Sequence, residues 1–310
     1  MSLYAFVESG CLERLRAEEW ASAAEILGGS ATDTGQGFIE YLRLCGVLDR
    51  RDGRYRLSPK GTLLTSEISL ARLGFYLEAY APVTARITDL ITNKAEYGRD
   101  VVRAGGALSR HSGTVATVSY VGLVAEAIAE RQPRRILDIG CGDGSLILRL
   151  CARLPELSGV GIDISPAAIE NARADSARDG LADRTSFEVA DAFSPDTWSE
   201  KAAAADVLVG VGVMHELFRD GEDAVIEVLN RLADVLTEDK VFLLGEPELR
   251  YDNRENDSDF FLVHVLTGQG IPRNRTAWLD VFRRSRLRCK RVITNAVAGP
   301  RTCFYELTAR

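Results

Sequence analysis

Between residues 134 and 245, short apolar runs alternate with stretches whose apolar positions recur at helical spacing. The runs at 134–139, 158–163, 185–190, 205–213 and 239–245 predict buried strands, and the stretches near 145–153, 166–178 and 222–236 predict helices. Alternation with short links predicts a mostly parallel sheet covered on both faces, with ligands at the carboxyl ends of its strands. The tail adds RCKRVITN at 288–295 and TCFYELTAR at 302–310, read as a closing pair of strands that brings the sheet to seven. The fold class is α/β, Rossmann-like, with a helix at 114–132 leading into the sheet.

The N-terminal part is patterned differently. LYAFVESGCLERLRA and EEWASAAEILGG, within 2–29, read as amphipathic helices. After a polar turn from Ser30 to Gly37, FIEYLRLCGVL supplies a third helix, and DRRDGRYRLSPKG alternates as a hairpin around Asp52 and Gly53. Three helices and a hairpin predict a winged helix. Residues 66–93 predict a long connecting helix with a break at Pro82, and 95–113 a glycine-punctuated loop carrying Arg99, Arg103, Arg110 and His111. The expected domains are 1–113 and 114–310.

Composition narrows the function. The 310 residues carry a formal charge of −7, and residues 1–115 hold fourteen acidic and fourteen basic side chains, so no basic excess is available for phosphates. The helix that would read a DNA groove has one arginine, Arg43, beside Glu40, which counts against a winged-helix regulator. Cys11, Cys45, Cys141, Cys151, Cys289 and Cys303 form no C-x-x-C pair, which suggests neither a zinc ribbon nor a disulfide framework. With no signal-peptide pattern at MSLYAFVESG and no run near the roughly eighteen apolar residues of a membrane span, a cytoplasmic protein without membrane or nucleic-acid partners is expected.

The candidate chemistry centres on ILDIGCGDGS at 136–145. An apolar run ending in Asp138 and Ile139 meets Gly140, Gly142 and Gly144, which allow a sharp turn and close approach of a ligand, and Ser145 is placed to cap the next helix. The third glycine comes one position early for a dinucleotide site. The spacing resembles that of the class I S-adenosylmethionine (SAM) methyltransferases, and three later segments fit the resemblance. GVGIDIS at 159–165 ends a second strand in Asp163, which the resemblance assigns to the ribose hydroxyls, with Ile164 against the adenine. FEVADAF at 187–193 ends a third in Asp191, assigned to the adenine amino group and flanked by Ala192 and Phe193. DVLVGVGVMHELF at 206–218 ends a fourth strand in a loop for substrate.

The chain has three histidines, His111, His215 and His264. His215 falls where the small-molecule O-methyltransferases that this chain resembles keep a general base; many of these also use an N-terminal helical domain for dimerisation and for covering the substrate. Glu216 follows it, and His264 lies in DFFLVHVLTGQG, where those enzymes present apolar residues. The His-Glu pair and the later His resemble the metal-dependent 2-oxo acid C-methyltransferases, of the phenylpyruvate and 2-ketoarginine type. That resemblance implies a homodimer binding SAM and a metal ion held by the catalytic trio His215, Glu216 and His264, iron before zinc, acting on a 2-oxo acid. Arg99 is the arginine expected to meet the substrate carboxylate, and Glu246 or Glu248 in GEPELR (245–250) is a candidate contributor to the pocket. The alternative is an O-methyltransferase acting on a hydroxylated small molecule, with His215 as base.

Overall fold

The computed structural model describes residues 1–29, 31–237, 239–249, 258–271, 273–294 and 302–310, so the expected Ser30, Arg250 and Asn295 positions lie outside the described residues. The chain divides into two compact units, Met1–Ala79 and Tyr80–Arg310. This boundary precedes the expected 113/114. Residues 80–113 therefore belong to the larger unit.

In the first unit, the stretch expected as one opening helix is split at Gly10 into helices Ser2–Glu8 and Cys11–Arg16. The second expected helix is mostly replaced: Ala21–Ser22 forms strand β1, and only Ala23–Ile26 is helical, closed by a reciprocal Ser22–Glu25 capping box. Helix Asp33–Leu44 starts earlier than its apolar run because Thr32 caps it. Strands β2 (Leu48–Arg51) and β3 (Arg54–Leu57) form the expected hairpin, with β1 beside β3 in the order β1-β3-β2. Phe6, Leu12, Leu15, Ile26, Ile39, Leu42 and Tyr55 make its core.

The second unit holds the seven-stranded sheet: β4 (Arg135–Ile139), β5 (Ser158–Asp163), β6 (Thr185–Val189), β7 (Val207–Val211), β8 (Val241–Pro247), β9 (Leu287–Thr294) and β10 (Thr302–Ala309). Their order is β6-β5-β4-β7-β8-β10-β9. Strands β4 to β8 pair in parallel, and β10 runs antiparallel to both β8 and β9. Side chains alternate between two cores: Leu137, Ile139, Val160 and Ile162 face one, and Ile136, Val207 and Val209 the other. Reversal of order at β4 and β7 opens a crevice at the strand ends, where a ligand binds in folds of this kind.

The connecting stretch is four short helical pieces between Glu67 and Ile91 rather than one helix. The helix leading into the sheet begins at Gly105, inside the expected loop, and runs to Ala129. By length and composition alone it is apolar enough to cross a membrane. Its Tyr120, Val121, Val124, Ala125, Ala127 and Ile128 are buried in a sheet core, which accounts for much of that composition.

Candidate functional site

The chain turns at the end of β4. Gly140, Gly142 and Gly144 all have positive φ, at 70°, 55° and 75°. A Cβ on Gly140 would stand 2.9 Å from Val213, so glycine is required there by conformation and by space. The Gly140 and Cys141 N–H groups both donate to Ile162 O, tying the turn to β5. The N-cap of helix Ser145–Arg153 is Gly144, not Ser145. Asp143 takes over the polar role, accepting from Ser145 N at 3.1 Å and Ser145 Oγ at 2.6 Å.

Acidic side chains gather along this edge. Asp138 is buried in β4, and burial, then the charges of Asp163 and Asp143, holds its carboxyl well above the usual range. Burial likewise raises that of Asp143. At the tip of β5, Asp163 accepts from Gly142 N at 3.0 Å and Ser165 N at 2.8 Å. Ile164 beside it is 74% exposed, an apolar side chain standing free at a strand end. After β6, Asp191 accepts from Phe193 N at 2.9 Å and Ser194 Oγ at 2.8 Å, while its backbone carbonyl accepts from Trp198 Nε1; Ala192 is buried, with Phe193 packed against the same core.

A second cluster lies past β7. The strand ends at Val211, and a 3-10 turn spans Met214–Asp220. Glu246, fully buried in β8, accepts from Val213 N (3.1 Å) and Met214 N (2.7 Å) through Oε1 and faces His215 Nδ1 at 2.8 Å through Oε2. From helix Ser258–Thr267, His264 puts its Nε2 3.1 Å from His215 Nε2, while its Nδ1 faces Phe260 O at 2.7 Å. A carboxylate and a carbonyl can only accept, so both Nδ1 atoms donate, and the two Nε2 atoms are left facing each other. Burial, then the His215 ring, lowers the His264 pKa to about 3.

Glu216 does not join the imidazoles. Its Oε1 accepts from Arg103 Nη2 at 3.0 Å, while Arg103 Nη1 donates to Gln269 Oε1 at 2.8 Å and Tyr80 Oη at 3.2 Å. Among the described residues no three His, Cys, Asp or Glu side chains form a metal-ligand set. Arg99 also departs from expectation: its side chain is 68% exposed and paired with Glu96 and Asp100, whereas that of Arg103 is 20% exposed and its charge is felt by His264.

The fold has counterparts among known proteins. Residues 137–241 match the family model described as a methyltransferase domain. The chain is 29% identical over 317 residues to 2-ketoarginine methyltransferase of Streptomyces arginensis, covering 96% of the chain and 87% of that relative. It is 32% identical over 140 residues to indolepyruvate C-methyltransferase of Streptomyces griseus, covering 44% of the chain and 40% of that relative. The mitomycin 7-O-methyltransferase structure shares the fold across 100% of this chain and 93% of its own, with a TM-score of 0.72 at 23% identity.

The chain is a class I SAM-dependent methyltransferase.

In this methyltransferase, the segments singled out in the sequence come together as two groups. Asp138, Gly140, Gly142, Asp163, Ile164, Asp191, Ala192 and Phe193 lie at or beside the ends of β4, β5 and β6, while His215 meets His264 past β7. Sequence reasoning left Glu246 undefined and passed over Arg103. A glutamate inside the apolar strand VFLLGEP was a usable signal, since a buried carboxylate needs donors. For Arg99 the usable signal was local competition, since Glu96 and Asp100 flank it and both pair with it.

Proposed function

We propose that this methyltransferase places the methyl group on the carbon next to the carbonyl of a 2-oxo acid. The observation that carries the reading is the His215–His264 pair. Two Nε2 atoms 3.1 Å apart, each on a ring whose Nδ1 is already engaged, make a paired nitrogen donor set that would suit a cation. Glu246 and Phe260 O fix the rings through their far nitrogens, as partners of metal-bound histidines do. Both imidazoles therefore fit an iron or zinc ion; Glu216, engaged with Arg103, leaves the remaining positions to substrate and water.

In this reading the ion, when bound, supplies Lewis-acid polarisation of the keto oxygen, which makes the adjacent C–H easier to ionise. His215 and His264 hold it, and Glu246 keeps His215 in one tautomer. Arg103, with its fork set by Gln269 and Tyr80, receives the substrate carboxylate. The glycine turn with Asp138, and Asp163, Asp191 and the apolar groups beside them hold SAM so that its methyl faces the acceptor carbon, and this positioning contributes much of the rate. Homodimerisation through the Met1–Ala79 unit and a cytoplasmic location belong to the same proposal.

One observation favours a second reading. The His215–Glu246 contact is a base held by an orienting carboxylate, which suits proton removal from a hydroxyl during O-methylation. Metal analysis of purified protein, with labelled SAM and a panel of 2-oxo acids and phenols, separates the two. The first reading expects stoichiometric metal in the wild type. It also expects His264→Ala to lose metal and to lower 2-oxo acid methylation beyond the roughly 10–100-fold that loss of an outer-shell partner costs. A metal-free wild type and a fully active variant would hand the site to O-methylation.

A further inference from the structure

His215 and His264 reach their 3.1 Å approach from separate elements, a 3-10 turn and the helix Ser258–Thr267, and the chain leaving that helix returns to the turn. Thr267 closes the helix with its Oγ1 donating to Val263 O, and Gly268 follows with a φ of 57°. Gln269 is buried, its Oε1 accepting from Arg103 Nη1, and Gly270 then lies on the turn itself. Gly270 has a φ of 91°, a conformation that residues with a Cβ rarely adopt. A Cβ there would stand 2.3 Å from His215 O, 3.2 Å from Arg219 N and 3.3 Å from Glu216 O, all of them backbone atoms. Carbon and carbonyl oxygen ordinarily approach to about 3.3–3.6 Å, so a methyl group enters only if loop and turn part by roughly 1 Å. Gly268 supplies the contrast: its φ is also positive, yet among the described residues no atom lies within 4 Å of its Cβ position.

We propose that Gly270 is a positioning residue that sets the separation of the two imidazoles, by letting the loop after the His264 helix rest directly on the carbonyl of His215. The inference rests on the proposed reading in which both rings hold one ion. Two donors on different elements can share an ion only if those elements are held to within about 0.5 Å of the productive geometry. A misplacement of about 1 Å at such a site costs on the order of 100-fold. Glu246 anchors the His215 ring to β8, whereas Phe260 belongs to the same helix as His264. The bond to Phe260 O therefore travels with the helix and leaves the distance between the rings to whatever docks the helix on the turn. Gly270, three residues beyond the helix end, is such a dock. A glycine kept only for its backbone conformation would respond to a methyl group as Gly268 does, where the positive φ recurs without the contact.

The test titrates zinc and cadmium by calorimetry into the metal-stripped full chain, wild type beside Gly270→Ala and Gly268→Ala, with S-adenosylhomocysteine titrated into each as a check on the donor edge. Gly270→Ala is expected to weaken zinc about 10–100-fold, the cost of disturbing what holds a metal's ligands in place. Cadmium, the larger ion, should lose less, because a wider pair of nitrogens suits a longer bond. Gly268→Ala should keep both metals within about twofold of wild type, and both variants should keep S-adenosylhomocysteine within the same margin. Unchanged zinc affinity in Gly270→Ala, equal losses of zinc and cadmium, or the same zinc loss in Gly268→Ala would overturn the proposal. So would a Gly270→Ala chain that no longer bound S-adenosylhomocysteine, since the contact would then serve the fold and not the pair. Wild-type protein that bound neither metal would instead overturn the reading on which the inference rests, and the inference with it.

Discussion

The two halves of this catalytic edge are built on opposite plans. The donor half is read from short contiguous segments, each a strand with an acid at or just past its end, and its backbone N–H groups are bonded within the turn. The acceptor half draws single side chains from Tyr80, Arg103, His215, Glu216, Glu246, His264 and Gln269, joined only by hydrogen bonds across the fold. In the proposed reading the first plan suits one invariant molecule, and the second gathers two imidazoles, a guanidinium, the buried Glu246 and the half-buried Glu216 where bond making would take place. Chemistry should therefore fail when the second half is altered, and donor affinity when the first is.

The largest expected effect is that of His215→Ala, which should lower kcat by roughly 10²–10⁴ while leaving S-adenosylhomocysteine affinity within about twofold. Glu246→Gln keeps the shape but replaces the acceptor of Val213 N, Met214 N and His215 Nδ1 by an amide, and should cost roughly 10–100-fold in kcat. Equal damage to donor affinity in either variant would show the halves to be one unit. The next contrast exchanges the roles. Arg103→Met should raise KM for a 2-oxo acid about 10–100-fold, as loss of charged hydrogen bonds does, with donor affinity unchanged. Asp163→Asn should weaken the donor about 10-fold with the acid's KM unchanged. Steady-state kinetics with each substrate varied in turn reads both.

The difference in plan also governs what the sequence reveals. The mostly parallel seven-stranded sheet and the positions of Asp138, Gly140, Gly142 and Asp163 at its strand ends were legible because these residues are set by local backbone geometry, which spacing encodes. The His215–His264 meeting was anticipated only through a family resemblance. Glu246 gains its meaning from the pairing of β7 with β8, which sets Val211 beside Gly245, and no local pattern announces that register. Arg99 and Arg103 lie four residues apart on one irregular stretch; the choice between them rested on tertiary partners, although the acids flanking Arg99 already offered it a local salt bridge. Ala21–Ser22 was missed as a strand because two residues carry too little periodicity to outweigh the alanine-rich run around them.

The smallest expected effect concerns stability, and here the halves respond to pH with opposite sign. Burial and neighbouring acids raise Asp138, so between its ordinary and its folded pKa the native protein holds more protons than the unfolded chain. Its contribution is full below the ordinary value and declines as pH rises through that interval. Burial and His215 lower His264 from 6.5 to about 3, so there the unfolded chain holds more protons, and stability declines as pH falls from 6.5 toward about 3. In metal-free, ligand-free protein, Asp138→Asn should therefore raise the melting temperature at neutral pH by roughly 2–4 °C, the shift about 1 kcal/mol makes in a domain of this size, and change nothing well below pH 4. His264→Asn should flatten the acid limb and leave the neutral one alone. Calorimetric melts of both variants from pH 3.5 to 8 decide this; a neutral-pH loss in Asp138→Asn would mean that the carboxylate is held by a partner which offsets its burial.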